Sequence, residues 1–194
     1  MHPSCQTLDG MKLPDHEFPR IVVVGTSCAG KSTFASRLAR AIGCPRIELD
    51  SLYWGPGWEP KPQKEFRLLV AEAVAQESWV ADGNYGSVRE LVWPRASTVV
   101  WLNYSFPRVL WQALKRTVAR CVSGEILWHG NRESVRRSFF SKKSILVWVA
   151  TTYHRRQNEF TILRASNRFS HVSWVEVRHP AEARELLASL RDAV

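Results

Sequence analysis

Short apolar runs alternate along the chain with stretches in which apolar residues recur at helical spacing. The runs are rich in β-branched residues, as expected for strands that are buried on both faces of a parallel sheet. They predict strands at Arg20–Val24, Arg46–Leu49, Trp79–Ala81, Thr98–Asn103 and Ser173–Val177. Such alternation is typical of the α/β class and predicts a doubly wound, five-stranded parallel sheet.

Proline and glycine mark the ends of the helices that this pattern predicts. Pro62, Pro107 and Pro180 each precede an amphipathic stretch, and proline is favoured in the first turn of a helix. After the first strand, an apolar face that begins at Phe34 ends before Gly43, a residue that commonly terminates helices. We therefore expect a helix after each of these signals.

The interval from Cys121 to Arg168 departs from the alternation because it is long, helical in pattern and basic. The chain has a net charge of +9, and the stretch from Arg108 to Arg164 contains twelve basic and three acidic residues, which is the whole excess. We interpret about 121–168 as a helical insertion over the top of the sheet. Its charge predicts a polyanionic ligand, either nucleotide phosphates or a nucleic acid backbone.

One domain, residues 20–194, is expected to follow a loosely ordered extension, residues 1–19. The extension is polar and lacks the apolar core of a signal peptide, and no apolar run approaches the length of a membrane span. The four cysteines have neither metal-ligand nor redox spacing. The cysteines therefore indicate reduced thiols and a cytoplasmic protein. Because no apolar run is long enough, we expect no association with membranes.

Residues 25–32 read Gly-Thr-Ser-Cys-Ala-Gly-Lys-Ser, which matches the phosphate-binding motif G-x-x-x-x-G-K-[ST] between a strand and a helix. In this motif the backbone amides surround phosphate oxygens, the lysine reaches the β- and γ-phosphates, and the serine hydroxyl binds Mg²⁺. The sequence thus predicts ATP and Mg²⁺. The predicted nucleotide-binding residues are Gly25, Thr26, Ser27, Cys28, Ala29, Gly30, Lys31, Ser32 and Thr33.

Two carboxylates follow predicted strands, at the sheet edge where ligands of open α/β sheets bind. Asp82 is placed like the carboxylate that holds the Mg²⁺ shell in proteins with a phosphate-binding loop. Asp82 and Ser32 are therefore the predicted metal ligands. Asp50 is placed to bind an acceptor hydroxyl or to remove its proton as a general base. A simpler interpretation is that each aspartate caps a helix or a turn.

An acceptor pocket is predicted from residues that follow these carboxylates. Tyr53 and Trp54 would stack on a planar substrate, and Asn84, Tyr85 and Arg89 would shape the pocket after the third strand. The alternatives are loop packing for the aromatic residues and an ordinary glycine turn for residues 82–86.

Arginines of the basic insertion are predicted to contact the transferred phosphoryl group. On a helix, Arg132 and Arg136 share one face with Arg137 beside them, and Arg155 and Arg156 follow as nucleotide contacts. Mobile lids over phosphate sites deliver arginines to developing charge in this way. The alternative is a solvated basic helix face.

These motifs resemble the P-loop kinases, and in particular the small adenylate-kinase-like proteins. Several stretches are similar to the bacterial family loosely called topology modulation proteins. The stretches are Ile47–Asp50, Trp54–Trp58, Asp82–Tyr85 and Gly130–Ser134. The resemblance implies a P-loop kinase fold and a phosphotransferase that uses Mg²⁺ and ATP.

The sequence differs from adenylate kinases at positions that bind the phosphate acceptor, so the identity of the acceptor is left open. After the third strand, those enzymes carry Asp-Gly-x-Pro-Arg, whereas Tyr85 and Gly86 stand at the last two positions here. The position of Asp50, directly after the second strand, resembles that of an aspartate in P-loop kinases that phosphorylate a hydroxyl. We therefore expect transfer to a nucleotide or another small metabolite. The alternatives are an ATP-regulated nucleic-acid-binding protein that affects DNA topology, and a nucleotide-binding NTPase without kinase activity.

Overall fold

The structure is a computed structural model that describes residues 13–14, 19–123 and 145–190. Most of the predicted N-terminal extension lies outside the described residues. The predicted phosphoryl contacts Arg132, Arg136 and Arg137 lie outside them as well.

The described residues form a five-stranded sheet in which every neighbouring pair is parallel and the order is β2-β3-β1-β4-β5. The strands are β1 Arg20–Gly25, β2 Arg46–Glu48, β3 Trp79–Asp82, β4 Thr98–Leu102 and β5 Ser173–Val177. The predicted strands and the α/β class are confirmed. Because β1 is central, its carboxyl end lies between those of β3 and β4.

Helices connect and cover the strands. They are α1 Lys31–Ala41, α2 Leu49–Tyr53, α3 Gln63–Ala73, α4 Arg89–Val92, α5 Phe106–Ser123, α6 Ile145–Ala165 and α7 Pro180–Ser189. In the described parts of the chain, no helix combines the length and the apolar character that crossing a membrane requires.

Two hydrophobic cores lie on opposite faces of the sheet. Alternate residues of β1 point to different cores, with Val23 in one and Val22 in the other. The core around Val23 includes Leu38 of α1, and the core around Val22 includes Phe66 of α3. This arrangement confirms the doubly wound architecture.

Helix α6 crosses the carboxyl end of β4 on its way from one core to the other. Tyr153 belongs to the first core and Phe160 to the second. Two hydrogen bonds hold this part of α6 to the end of β4. The hydroxyl of Tyr153 donates to the carbonyl of Tyr104 at 2.9 Å, and the side chain of Gln157 donates to that of Asn103 at 3.0 Å. Both acceptors follow β4 directly. The C-terminal part of the predicted insertion thus packs over the sheet edge where ligands bind.

The predicted extent of the second strand is wrong at its carboxyl end. The strand stops at Glu48, and Leu49–Tyr53 is a short helix rather than a strand end and a loop. The hydroxyl of Ser51 donates to the carbonyl of Glu48 at 2.7 Å, which supports the turn into the helix. Asp50 therefore lies in the first turn of α2, and it does not cap that helix, whose N-cap is Glu48.

Candidate phosphate-binding and acceptor site

The loop between β1 and α1, which carries the predicted phosphate-binding motif, is tightly curled. Cys28 and Gly30 have left-handed backbone angles, with φ of 64° and 87°. The N–H of Ala29 donates to the carbonyl of Thr26 at 3.2 Å and closes the turn. No side chain among the described residues caps the start of α1. The first amides of the helix are therefore available to an anion.

Gly25, the first residue of the loop, must be glycine for two reasons. Its φ is 148°, which side-chain-bearing residues rarely adopt. A Cβ atom at this position would lie 2.6 Å from the carbonyl oxygen of Leu102 on the neighbouring strand β4. The glycine therefore lets the loop begin while β1 is still paired with β4.

Lys31 is half-buried and bonds back to its own loop. Its Nζ donates to the carbonyl of Thr26 at 3.0 Å. Burial lowers the pKa of Lys31, and the charges of Asp50 and then of Asp82 act in the opposite direction. Both predicted carboxylates therefore influence the lysine of the P-loop.

Asp50 accepts a hydrogen bond from Tyr85. The Tyr85 hydroxyl donates to Oδ1 of Asp50 at 2.5 Å, although the residues are 35 positions apart in sequence. Burial raises the pKa of Tyr85, and the negative charge of Asp50 raises it further. Tyr53 packs against Tyr85 with ring centroids 4.7 Å apart and edge-on against Trp54 at 4.8 Å. The predicted acceptor residues Tyr53, Trp54 and Tyr85 therefore meet around Asp50.

Asp82 forms an ion pair on the strand next to β1. Its side chain is 3% exposed, and Arg46 binds both carboxylate oxygens, at 3.0 and 3.4 Å. Arg46 also binds Glu48 at 2.9 Å. The predicted metal carboxylate is thus already held by a cation.

Arg89 and Asn84 have partners other than an acceptor in this structure. Arg89 forms an ion pair with Glu159 of α6 and lies 5.4 Å from the centre of the Trp93 ring. The side-chain amide of Asn84 bonds the backbone of Gly25. These contacts connect α4 with α6, and the turn after β3 with the P-loop.

The predicted nucleotide contacts on α6 differ in their surroundings. Arg156 forms an ion pair with Glu159 at 2.7 Å, whereas Arg155 is exposed. Burial alone would raise the pKa of Glu159, but hydrogen bonds from Arg89 and Arg156 outweigh it and lower the pKa below its ordinary value. The Glu159 carboxylate is therefore shared by two arginines at the sheet edge.

Two residues that the sequence analysis did not select contact the P-loop. Arg116 of α5 donates to Sγ of Cys28 at 3.9 Å, and its charge contributes to lowering the pKa of Lys31. Trp148 of α6 donates from its indole nitrogen to the hydroxyl of Ser27 at 3.2 Å. A signal for Arg116 exists in the sequence, since it is one of the twelve basic residues between Arg108 and Arg164.

A basic pocket lies beyond the carboxyl ends of β4 and β5, on the other side of the P-loop from Asp50. It is open to solvent and has a volume of about 420 Å³. Its lining includes Ser105, Arg108, Arg178, His179, Pro180 and Arg184. Sequence patterns did not indicate this pocket, because its residues come from the starts of α5 and α7, which are distant in the sequence.

The chemistry of the site fits magnesium bound together with a nucleotide. The described residues contain no cluster of three or more His, Cys, Asp or Glu side chains that would hold a metal by itself. Magnesium usually keeps several waters and takes one or two carboxylates together with substrate phosphates. Ser32 and Asp82, the predicted metal ligands, are a hydroxyl and a carboxylate of this kind.

The fold is shared with two kinases of known structure. The chain is similar to a gluconokinase from Sinorhizobium meliloti 1021, with a TM-score of 0.50, 20% identity, and coverage of 90% of this chain and 93% of that one. It is also similar to a shikimate kinase from Bacteroides thetaiotaomicron, with a TM-score of 0.50, 13% identity, and coverage of 90% and 97%. No protein-family model and no curated protein matches the sequence. At these identities the likeness shows a common fold.

Proposed function

We propose that this chain is a phosphotransferase that moves the γ-phosphoryl group of Mg-ATP to a hydroxyl of a small molecule. The observation that carries the proposal is that one turn joins the curled P-loop to Asp50, since Asn84 bonds the backbone of Gly25 and the next residue, Tyr85, bonds Asp50. A cation for the donor phosphates and a carboxylate for the acceptor are the two groups that such a transfer needs next to each other.

The donor side uses the P-loop and the helix behind it. Backbone amides of the loop and of the start of α1 bind the phosphates, and Lys31 leaves the Thr26 carbonyl to reach the β- and γ-phosphates. Arg116 lies close enough to the loop to neutralise a further phosphate oxygen. The basic pocket beside β5 would hold the nucleoside part, since it lies at the same carboxyl edge of the sheet as the loop.

The acceptor side uses Asp50. In the transfer, the acceptor oxygen forms a bond to the γ-phosphorus while the bond from that phosphorus to the β–γ bridging oxygen breaks. The proton of the acceptor hydroxyl passes to the Asp50 carboxylate, and ADP leaves. Bound Mg²⁺ would neutralise charge on the phosphate oxygens, with Ser32 and Asp82 as its protein ligands.

The remaining predicted contacts stay part of this proposal. Arg132, Arg136 and Arg137 would reach the transferred group from outside the described residues. Arg155 and Arg156 lie on the part of α6 that packs over the carboxyl edge of the sheet. Arg156 would release its ion pair with Glu159 and bind a phosphate oxygen instead. Developing negative charge in a closed site favours arginine in these positions.

The test is an acceptor screen that follows ADP release in the presence of Mg-ATP. The acceptors are nucleosides, nucleoside monophosphates, sugars and hydroxy acids, each compared with water alone. We expect at least one class to raise ADP release well above hydrolysis, and Lys31→Ala to abolish that increase while retaining the circular dichroism spectrum of the fold. Slow hydrolysis with every acceptor would favour an NTPase without kinase activity.

One observation supports a second candidate, a nucleic-acid-binding function. Helix α5 contains no acidic residue, and the ring of Trp111 is 54% exposed with Lys115 5.9 Å from its centre. Basic side chains beside an exposed aromatic ring are typical of single-strand binding surfaces. Binding of this kind weakens steeply as salt increases. Absence of binding to single- and double-stranded DNA at low salt would remove this candidate.

A further inference from the structure

We propose that Tyr85 is a positioning residue for Asp50, and that the turn from Gly83 to Tyr85 sets the distance between the acceptor carboxylate and the phosphate loop. The inference rests on the proposed function, because it takes Asp50 as the group that receives the acceptor proton. It replaces the sequence-based expectation that Tyr85 binds the acceptor directly.

The direction of the hydrogen bond at Tyr85 follows from the chemistry of its partner. The Tyr85 hydroxyl lies 2.5 Å from Oδ1 of Asp50. An ionised carboxylate has no proton to give and only accepts, whereas a phenol can donate. The proton of Tyr85 therefore points to Asp50 and fixes the position of Oδ1.

The ring of Tyr85 is fixed by aromatic neighbours on two sides. Its centroid lies 4.7 Å from that of Tyr53 and 5.1 Å from that of Phe66, a residue only 1% exposed. Edge-on and tilted contacts of this kind add stability beyond simple burial. These contacts restrict the ring of Tyr85, so its hydroxyl is held in a fixed position relative to Asp50.

The backbone before Tyr85 passes directly against the start of α2. Gly83 has a φ of 145°, and a Cβ atom there would lie 2.9 Å from Cβ of Leu49, the residue that precedes Asp50. Only glycine permits this approach. The next residue, Asn84, bonds the backbone of Gly25 at the start of the P-loop. Three consecutive residues therefore contact α2, the P-loop and Asp50 in turn.

This arrangement has a consequence for the chemistry. Asp50 lies on a five-residue helix, and its carboxylate would otherwise rotate about its own side-chain bonds. With Oδ1 bound by the phenol, Oδ2 is the oxygen that receives the acceptor proton. Loss of the phenol would misplace this oxygen without altering the phosphate loop.

The experiment compares Tyr85→Phe with wild type, using the acceptor that the screen returns or, failing one, water as acceptor in ATP hydrolysis. We expect kcat to fall by about 10- to 100-fold, as when a reacting group loses its alignment, with little change in KM for ATP. The ring is retained, so the variant should fold. Tyr153→Phe is the matched control. It also loses a buried hydroxyl hydrogen bond, which joins Tyr153 to the carbonyl of Tyr104 at 2.9 Å, but this bond does not involve Asp50.

A double-variant cycle with Asp50→Asn separates the two proposals. If Tyr85 acts through Asp50, adding Tyr85→Phe to Asp50→Asn lowers kcat no further. An unchanged kcat in Tyr85→Phe beside a slow Asp50→Asn overturns the positioning role alone. An unchanged kcat in Asp50→Asn overturns the base role, and with it the proposed function as stated.

Discussion

The side chain of Asn84 forms hydrogen bonds with both backbone groups of Gly25. Its Nδ2 donates to the Gly25 carbonyl, and its Oδ1 accepts from the Gly25 N–H at 3.4 Å. The backbone pairing of β1 with β3 ends at Val23 and Asp82. The amide of Asn84 therefore continues the connection between the two strands by side chain, at the point where the phosphate loop begins.

We predict that Asn84→Ala weakens ATP binding and lowers stability. Two buried or half-buried backbone groups of Gly25 lose their partner, which costs about 1–3 kcal/mol in the free energy of unfolding. The measurement is urea unfolding together with calorimetric titration of Mg-ATP. Asn158→Ala, an exposed asparagine on α6, is the control and should change neither quantity. Wild-type affinity in Asn84→Ala would contradict the role given to this amide.

Arg46 is predicted to be important for stability because its partner is buried. Arg46→Met leaves the carboxylate of Asp82 without its ion pair in a position that is 3% exposed. Removing one partner of such a pair costs about 3 kcal/mol. Adding Asp82→Asn to Arg46→Met should recover part of the loss in urea unfolding. Lys61→Met breaks the more exposed pair with Glu65 and should cost less than about 1 kcal/mol.

Acid should destabilise the protein partly through Glu159. The pKa of Glu159 is lowered in the folded chain, so its ion pairs stabilise the fold above the ordinary glutamate range, and this contribution is lost as the pH falls through the folded value. The predicted window lies below about pH 4.5, the ordinary value. Urea unfolding of wild type and Glu159→Gln across this range should show a smaller pH dependence in the variant. Parallel curves would contradict the assignment.

Arg116 is predicted to contribute to nucleotide affinity. Arg116→Gln removes a cation beside Cys28 and should raise the dissociation constant of Mg-ATP by about 10-fold, the equivalent of one charge-assisted hydrogen bond. Lys115→Gln removes the same charge from the adjacent position, where the lysine lies over Trp111, and should leave the affinity near wild type. Equal losses in the two variants would indicate a general effect of charge.

Sequence patterns predicted the parts of this fold that depend on neighbouring residues. The strands and the P-loop are local, so composition and spacing identify them. Tyr85 and Asp50 are 35 residues apart, and Trp148 and Ser27 are 121 apart. Their contacts depend on the order of the strands and on the path of α6, which no local spacing encodes.

The boundary of β2 was missed for a related reason. The apolar run continues through Leu49, but the hydroxyl of Ser51 bonds back to Glu48 and supports a helical turn. Local side-chain bonds of this kind compete with the ladder of a strand. The consequence is functional, because the turn brings Asp50 onto a helix where Tyr85 reaches it.

The most direct measurement is transfer of labelled γ-phosphate from Mg-ATP to the acceptor identified in the screen, in wild type and in Lys31→Ala. We predict a phosphorylated acceptor in wild type, formed only with magnesium present, and none above background in the variant. Label recovered only as inorganic phosphate in wild type, or equal transfer by Lys31→Ala, would contradict the account.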